Sequence, residues 1–216
     1  MKDSREYTKK VQKLYRKLKR KSARAGVVKY EEPVDALVYA VISENMTESQ
    51  TQAAIRRLRE YFVDWNDLRV AIVDEISETL GPDVAQARNI ATTLVSLLGA
   101  VFQRYNMLSL QSLKKLGKRP AKQLLERLNA ITPFVVDYCM LTALDGHAIP
   151  LTPRMMEYLK AGELVHAEAG YEDVEGFLTR QISVKNAYEF YALLRRESES
   201  SKTRKTSKSK SAKARQ

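Results

Sequence analysis

The sequence predicts an all-α protein. Three observations carry this. Strand-like alternation of apolar and polar residues is absent over any long stretch. Glycine and proline are sparse, at 8 and 6 of 216 residues. Two helix starts share one design, Thr132-Pro133 and Thr152-Pro153. In each, a hydroxyl stands where an N-cap belongs, and a proline occupies the first helical position, where its missing N–H costs nothing.

The elements follow in order. Tyr7, Val11, Leu14, Tyr15 and Leu18 form one stripe of an N-terminal helix, surrounded by lysine and arginine and ended by Ala25-Gly26. Pro33 opens a helix whose buried face is Val34, Leu37, Val38, Val41 and Ile42. The turn Ser43 to Met46 follows, and Thr47-Glu48-Ser49-Gln50 has the form of a capping box. Ala54, Ile55, Leu58, Tyr61 and Phe62 stripe the next helix. Asp64 starts a short helix through Ala71, in which Trp65 reads as a packing residue. Another runs from Asp74 to Leu80 and stops at Gly81-Pro82. A long helix extends to Tyr105, and Ser109 caps a short one ending at Gly117. A helix Ala121–Leu128 leads to Thr132-Pro133. The nearly wholly apolar helix Phe134–Leu144 is closed by Asp145-Gly146. Helices from Pro153, over Tyr171–Leu178 and over Val184–Leu194, complete the body. From Ser198 no residue is both apolar and larger than alanine, so the tail 198–216 is expected to be disordered.

Charge is unevenly spread. The formal net charge is +11, yet Met1–Lys29 carries twelve Lys/Arg against two acids, and Ser201–Gln216 carries seven and no acid. The body between is mildly acidic. Basic ends on an acidic body predict a polyanion partner: nucleic acid first, through its phosphates. Within the body, Lys114, Lys115, Lys118, Arg119 and Lys122 form the one dense basic cluster, just ahead of the Thr132 hairpin. No run is long and apolar enough for a membrane span, and the basic N-terminal stripe lacks a Trp or Phe anchor for a membrane surface. The N-terminus lacks a secretory signal, so the expected location is cytoplasmic, with the nucleoid in a bacterium. The single cysteine, Cys139, excludes an internal disulfide and a cysteine-rich metal site; no cofactor or metal is expected. The sequence names no protein partner.

Three segments resemble the helix-hairpin-helix (HhH-GPD) DNA glycosylases of the endonuclease III type. Ala40-Val41-Ile42-Ser43-Glu44-Asn45-Met46-Thr47-Glu48-Ser49 is similar to that family's "LLSxQxTD". Phe62-Val63-Asp64-Trp65 is similar to "FPDW". Leu128-Asn129-Ala130-Ile131-Thr132-Pro133-Phe134-Val135-Val136 lies over "LPGVGxKTA", and Ile149-Pro150-Leu151-Thr152 over "PVD", with no gap needed between the two. The resemblance covers roughly Glu31 to Arg195. It implies a two-lobed helical fold (domain 30–197, hairpin 121–146) between a basic N-terminal helix (1–29) and the basic tail.

The resemblance also assigns places to residues. Asn45 takes the place of a glutamine that wedges into the gap left by a flipped base. Ala130 and Thr132 take the places of two hairpin glycines whose amides approach a DNA phosphate. Neither residue adopts positive φ cheaply, so altered hairpin geometry is expected. Phe134 takes the place of the lysine nucleophile, and phenylalanine is no nucleophile. Thr152 takes the place of the aspartate that stabilises charge on the sugar. The four cysteines of the family's iron–sulfur cluster are absent. Asp137 and Asp145 are the weak substitutes within reach in sequence, and His147 has no visible partner as a general base. The resulting expectation is DNA binding, largely without sequence preference and without standard glycosylase or lyase chemistry. The alternatives are an active monofunctional glycosylase for a readily expelled, alkylated base, and an RNA- or ribosome-associated basic protein.

Overall fold

Two helices are buried almost throughout: α2 (Pro33–Ser43) and α8 (Pro133–Thr142), each apolar but for one aspartate and its terminal hydroxyl residue. A helix so largely apolar is stable only where other elements surround it, and these two pack on each other at the centre of one unit. The computed structural model describes residues 4–21, 26–82 and 84–213, with side chains described as far as residue 200. It divides into a continuous unit, Val28–His147, and a terminal unit made of Met1–Val27 and Ala148–Gln216. The chain is helical with no strand among the described residues.

In the continuous unit, α2 is capped by Glu32, whose carboxylate accepts from Val34 N at 3.3 Å and also from Leu110 N and the Ser109 hydroxyl, both at 2.9 Å. α3 (Glu48–Tyr61) begins with the expected capping box: Thr47 accepts from Gln50 N, and Gln50 accepts from Thr47 N. α4 (Trp65–Val70) is capped by Asp64, which accepts from Asn66 N and Asp67 N at 2.8 Å. Trp65 is a packing residue, as expected; its indole N–H donates to Asp35 at 2.6 Å, and the Arg59 guanidinium stands 5.7 Å from the ring. α5 (Val73–Leu80) stops at Gly81, whose φ of 106° only glycine adopts without strain. α6 (Ala87–Tyr105) packs on α4 and α5. A 3-10 turn (Gln111–Lys115) replaces the expected short helix; Ser109 nonetheless accepts from Gln111 N at 3.2 Å. α7 (Lys118–Glu126) starts three residues earlier than expected and packs on α8. α8 ends at Thr142, two residues short of Leu144, where the Leu144 and Gly146 amides turn back to the Cys139 and Met140 carbonyls at 3.1 and 2.7 Å.

The terminal unit joins both ends of the chain. α1 (Ser4–Lys21) buries Val11, Leu14 and Leu18 and packs on α10 (Tyr171–Gln181) and α11 (Val184–Lys213). The Ala25 of its expected stop lies outside the described residues. α9 (Pro153–Ala161) also packs on α11. Tyr15 meets the Phe190 ring edge-on at 5.4 Å and donates to Glu189 at 2.5 Å. α11 does not end where the sequence suggested. Arg195 and Ser198 are buried, Arg195 donates to Tyr191 at 2.7 Å and pairs with Glu199, and the helix runs on to Lys213. The expected helix end at Leu194 is corrected accordingly: the helix continues through the buried Ser198, where a buried arginine anchors the turn. Ala214–Gln216 lie outside the described residues.

Candidate nucleic-acid interface

The hairpin joins α7 to α8 through residues 127–132. Ala130 takes the left-handed conformation, with φ 63°, despite its Cβ. The expectation that alanine would abandon the glycine geometry is thereby corrected at this position. Thr132 behaves differently. At φ −99° and ψ 157° it is extended, and its hydroxyl caps α8 by accepting from Val135 N at 3.3 Å. The same hydroxyl donates to Glu44 Oε2 at 3.0 Å.

Glu44 is the residue that sequence reasoning missed. It follows directly on α2 and lies beside Asn45, which is exposed in the turn before α3. Burial pushes the Glu44 carboxyl above its usual range, and the Thr132 hydroxyl only partly offsets this. The signal was an acid at the end of an otherwise apolar helix; its partner, 88 residues away, was not visible.

Phe134, at the place the resemblance gives to a nucleophile, is a core residue. It is 1% exposed and stacks on Tyr138 at 6.1 Å, which stacks in turn on Tyr39 at 5.2 Å. Thr152, in the terminal unit, is 4% exposed and caps α9 by accepting from Met155 N at 3.2 Å. Its hydroxyl has the structural role that its Thr-Pro setting predicted.

The substitutes are engaged elsewhere. Asp137 is buried and pairs with Lys122 at 3.0 Å. Asp145 is exposed and held well below the usual carboxylate range by the hydrogen bond and charge of Lys29; with φ 51° it closes α8 together with Gly146. Burial pushes the Cys139 thiol far up. With one cysteine in the chain, and that one inside α8, the residues do not fit an iron–sulfur cluster. Among the described residues, no group of three or more His, Cys, Asp or Glu is placed to hold a metal ion.

The basic cluster divides into two sets. Lys114 donates to the carbonyls of Tyr30 and Glu31, Lys118 to the Leu144 carbonyl at 2.6 Å, and Lys122 to Asp137. These three tie the hairpin's lead-in to distant backbone and to α8. Lys115 and Arg119 are exposed. Lys118, Arg119 and Lys122 also line, with His147, an open cleft of about 480 Å³ in the continuous unit. Arg119 brings an exposed guanidinium fork to this lining, Lys118 and Lys122 bring ammonium groups bonded to Leu144 and Asp137, and Glu126 brings a carboxylate.

The sequence matches no family model and no curated protein. Solved structures are similar in fold. A Clostridium acetobutylicum 8-oxoguanine glycosylase/lyase in complex with DNA is 15% identical, with a TM-score of 0.70 over 93% of this chain and 71% of that one. A trapped endonuclease III–DNA covalent intermediate is 14% identical, with a TM-score of 0.67 over 90% and 85%. The H. pylori 3-methyladenine DNA glycosylase bound to 1,N6-ethenoadenine is 16% identical, with a TM-score of 0.61 over 89% and 95%. The order of helices, the capped hairpin and these likenesses together give the chain the fold of the endonuclease III-like helix-hairpin-helix DNA glycosylases.

Proposed function

We propose that the protein binds DNA through this fold without standard base-excision chemistry. The observation that carries the reading is the state of the two assigned catalytic places. Phe134 is a stacked core residue, and Thr152 spends its hydroxyl on a helix cap. Binding would rest on Lys115, Arg119 and the basic ends, with Asn45 at the exposed turn and the Ala130–Thr132 hairpin beside it. Such contacts go to phosphates and carry little sequence information.

The test is duplex binding against salt concentration. Each phosphate contact contributes about 0.9 to the slope of log affinity against log salt. Charge reversal at Lys115 and Arg119 together should lower the slope by about 2, and deletion of 201–216 should lower it further. Salt-independent binding, or none at low salt, overturns the reading. Borohydride treatment with lesion-bearing DNA should trap nothing, because Phe134 forms no imine. A trapped adduct would place a nucleophile elsewhere.

A second reading is an active monofunctional glycosylase for an alkylated base. It draws on the likeness to the 3-methyladenine glycosylase and on the half-buried Glu44 carboxyl. Release of alkylated base that is lost in Glu44→Gln would favour it over the first reading. A preference for structured RNA over duplex DNA in competition would instead favour the RNA-associated alternative.

A further inference from the structure

In the terminal unit, two helices present matching faces. On α1, Lys10, Lys13, Leu14 and Lys17 recur at i, i+3, i+4 and i+7; on α9, Arg154, Glu157, Tyr158 and Ala161 do the same. That spacing puts each set on one side of its helix. Both helices pack on α11, and the two faces line a cleft of about 620 Å³. This lies within the volume range of small-ligand sites.

The lining has two characters. Leu14 and the Tyr158 ring supply an apolar floor. Lys13, Lys17 and Arg154 supply positive charge, and among the described residues no ion pair or hydrogen bond engages them. Lys10 is held by Glu6 at 2.8 Å. Glu163 also lines the cleft and adds an acceptor for hydroxyl, imide or amino donors.

We propose that this cleft is a site for a nucleoside monophosphate unit. The phosphate meets Lys13, Lys17 and Arg154, whose forked N–H groups match a phosphate bidentately. The base lies on Tyr158 and Leu14, and its polar edge or the sugar hydroxyl meets a carboxylate. A fatty acid or bare phosphate leaves part of this lining unused, the carboxylate in one case and the floor in the other. The unit has two sources, a free nucleotide or the phosphorylated end of a strand. The inference does not rest on duplex binding at Lys115 and Arg119, which lie in the other unit; it shares Lys13 and Lys17 with the basic N-terminal end.

The test is calorimetric titration of the full chain with thymidine 5′-monophosphate, thymidine and inorganic phosphate. The monophosphate should bind at least about tenfold tighter than either fragment, since both halves of the site contribute. Arg154→Glu and Lys13→Glu should each weaken it about tenfold or more by removing a charge-assisted contact. Unchanged thermal melting would show both variants folded. Equal affinity for inorganic phosphate, no binding of the monophosphate, or full affinity in both variants overturns the proposal. A 5′-phosphorylated oligothymidylate that binds tighter than the monomer assigns the site to strand ends; a weaker one assigns it to free nucleotide. Duplex binding by the charge-reversed Lys115 and Arg119 variant reports separately on the hairpin side.

Discussion

Replacing Lys122 by methionine should destabilise the protein far more than the loss of a surface lysine ordinarily does. Its partner Asp137 has a side chain only 4% exposed, and the two meet at 3.0 Å. At an effective dielectric of about 20, their attraction is about 5 kcal/mol before desolvation is counted. Removing one member of a buried pair costs about 3–5 kcal/mol, because the survivor stays buried with its charge. The Lys122 side chain is 40% exposed, so water already shares its ammonium. The expected loss is therefore at the low end, about 3 kcal/mol. For a chain of this size that lowers the melting temperature by roughly 6–12 °C. Circular dichroism melts of Lys122→Met, Asp137→Asn and the double variant form a cycle. The double variant should recover part of the loss, since it buries no charge. Lys122→Met melting within about 1 °C of the parent would refute the reasoning.

Three further outcomes follow from single positions. Ala130→Gly should stabilise the protein by about 0.5–1 kcal/mol in urea titration, because relief of left-handed strain exceeds the added chain entropy; a loss would show that the hairpin does not hold φ 63°. Gly146→Ala should cost about 1–3 kcal/mol in the same assay, since its Cβ would stand 2.7 Å from Met140 Cε and 3.1 Å from the Met140 carbonyl. Glu44 has a folded-state pKa raised above 4.5, so the folded form holds its proton more tightly than the unfolded chain does. Its contribution is most favourable below that value and is lost as pH rises through the folded pKa. Glu44→Gln should therefore gain melting temperature over the parent as pH climbs from 4 to 7, and a difference that does not vary with pH would contradict the burial of this carboxyl.

The caps show how far a sequence can be read. Thr47 with Gln50, Thr132 and Thr152 were legible because donor and acceptor lie three residues apart, within one turn. The core helix α2 was legible from its apolar face and α8 from its nearly wholly apolar run. The roles of Lys114, Lys118 and Lys122 were not, because their acceptors lie between 15 and 84 residues away. A lysine bound to a distant carbonyl looks, in sequence, like one facing solvent. The Glu44–Thr132 bond was hidden for the same reason. Ala130 was misread on different grounds: its intrinsic preference opposes φ 63°, yet this exposed residue adopts it at the turn of the hairpin. The length of α11 was misread because Ser198 and its neighbours lack large apolar residues, whereas the anchor is the buried Arg195, through contacts with Tyr191 and Glu199.

The division of the chain also bears on how the protein is made. The continuous unit emerges from the ribosome as one uninterrupted segment, and all its partners are present once His147 has cleared. The terminal unit has no such advantage. The Tyr15 hydroxyl waits for Glu189, 174 residues later, and Val11, Leu14 and Leu18 have no α10 or α11 to cover them until the chain beyond Tyr171 has been made. Closing a loop of that length adds little to the final free energy but slows the encounter. The dense positive charge of α1 suits this wait. It keeps a nascent amphipathic helix soluble by mutual repulsion until the C-terminal helices arrive to bury its stripe.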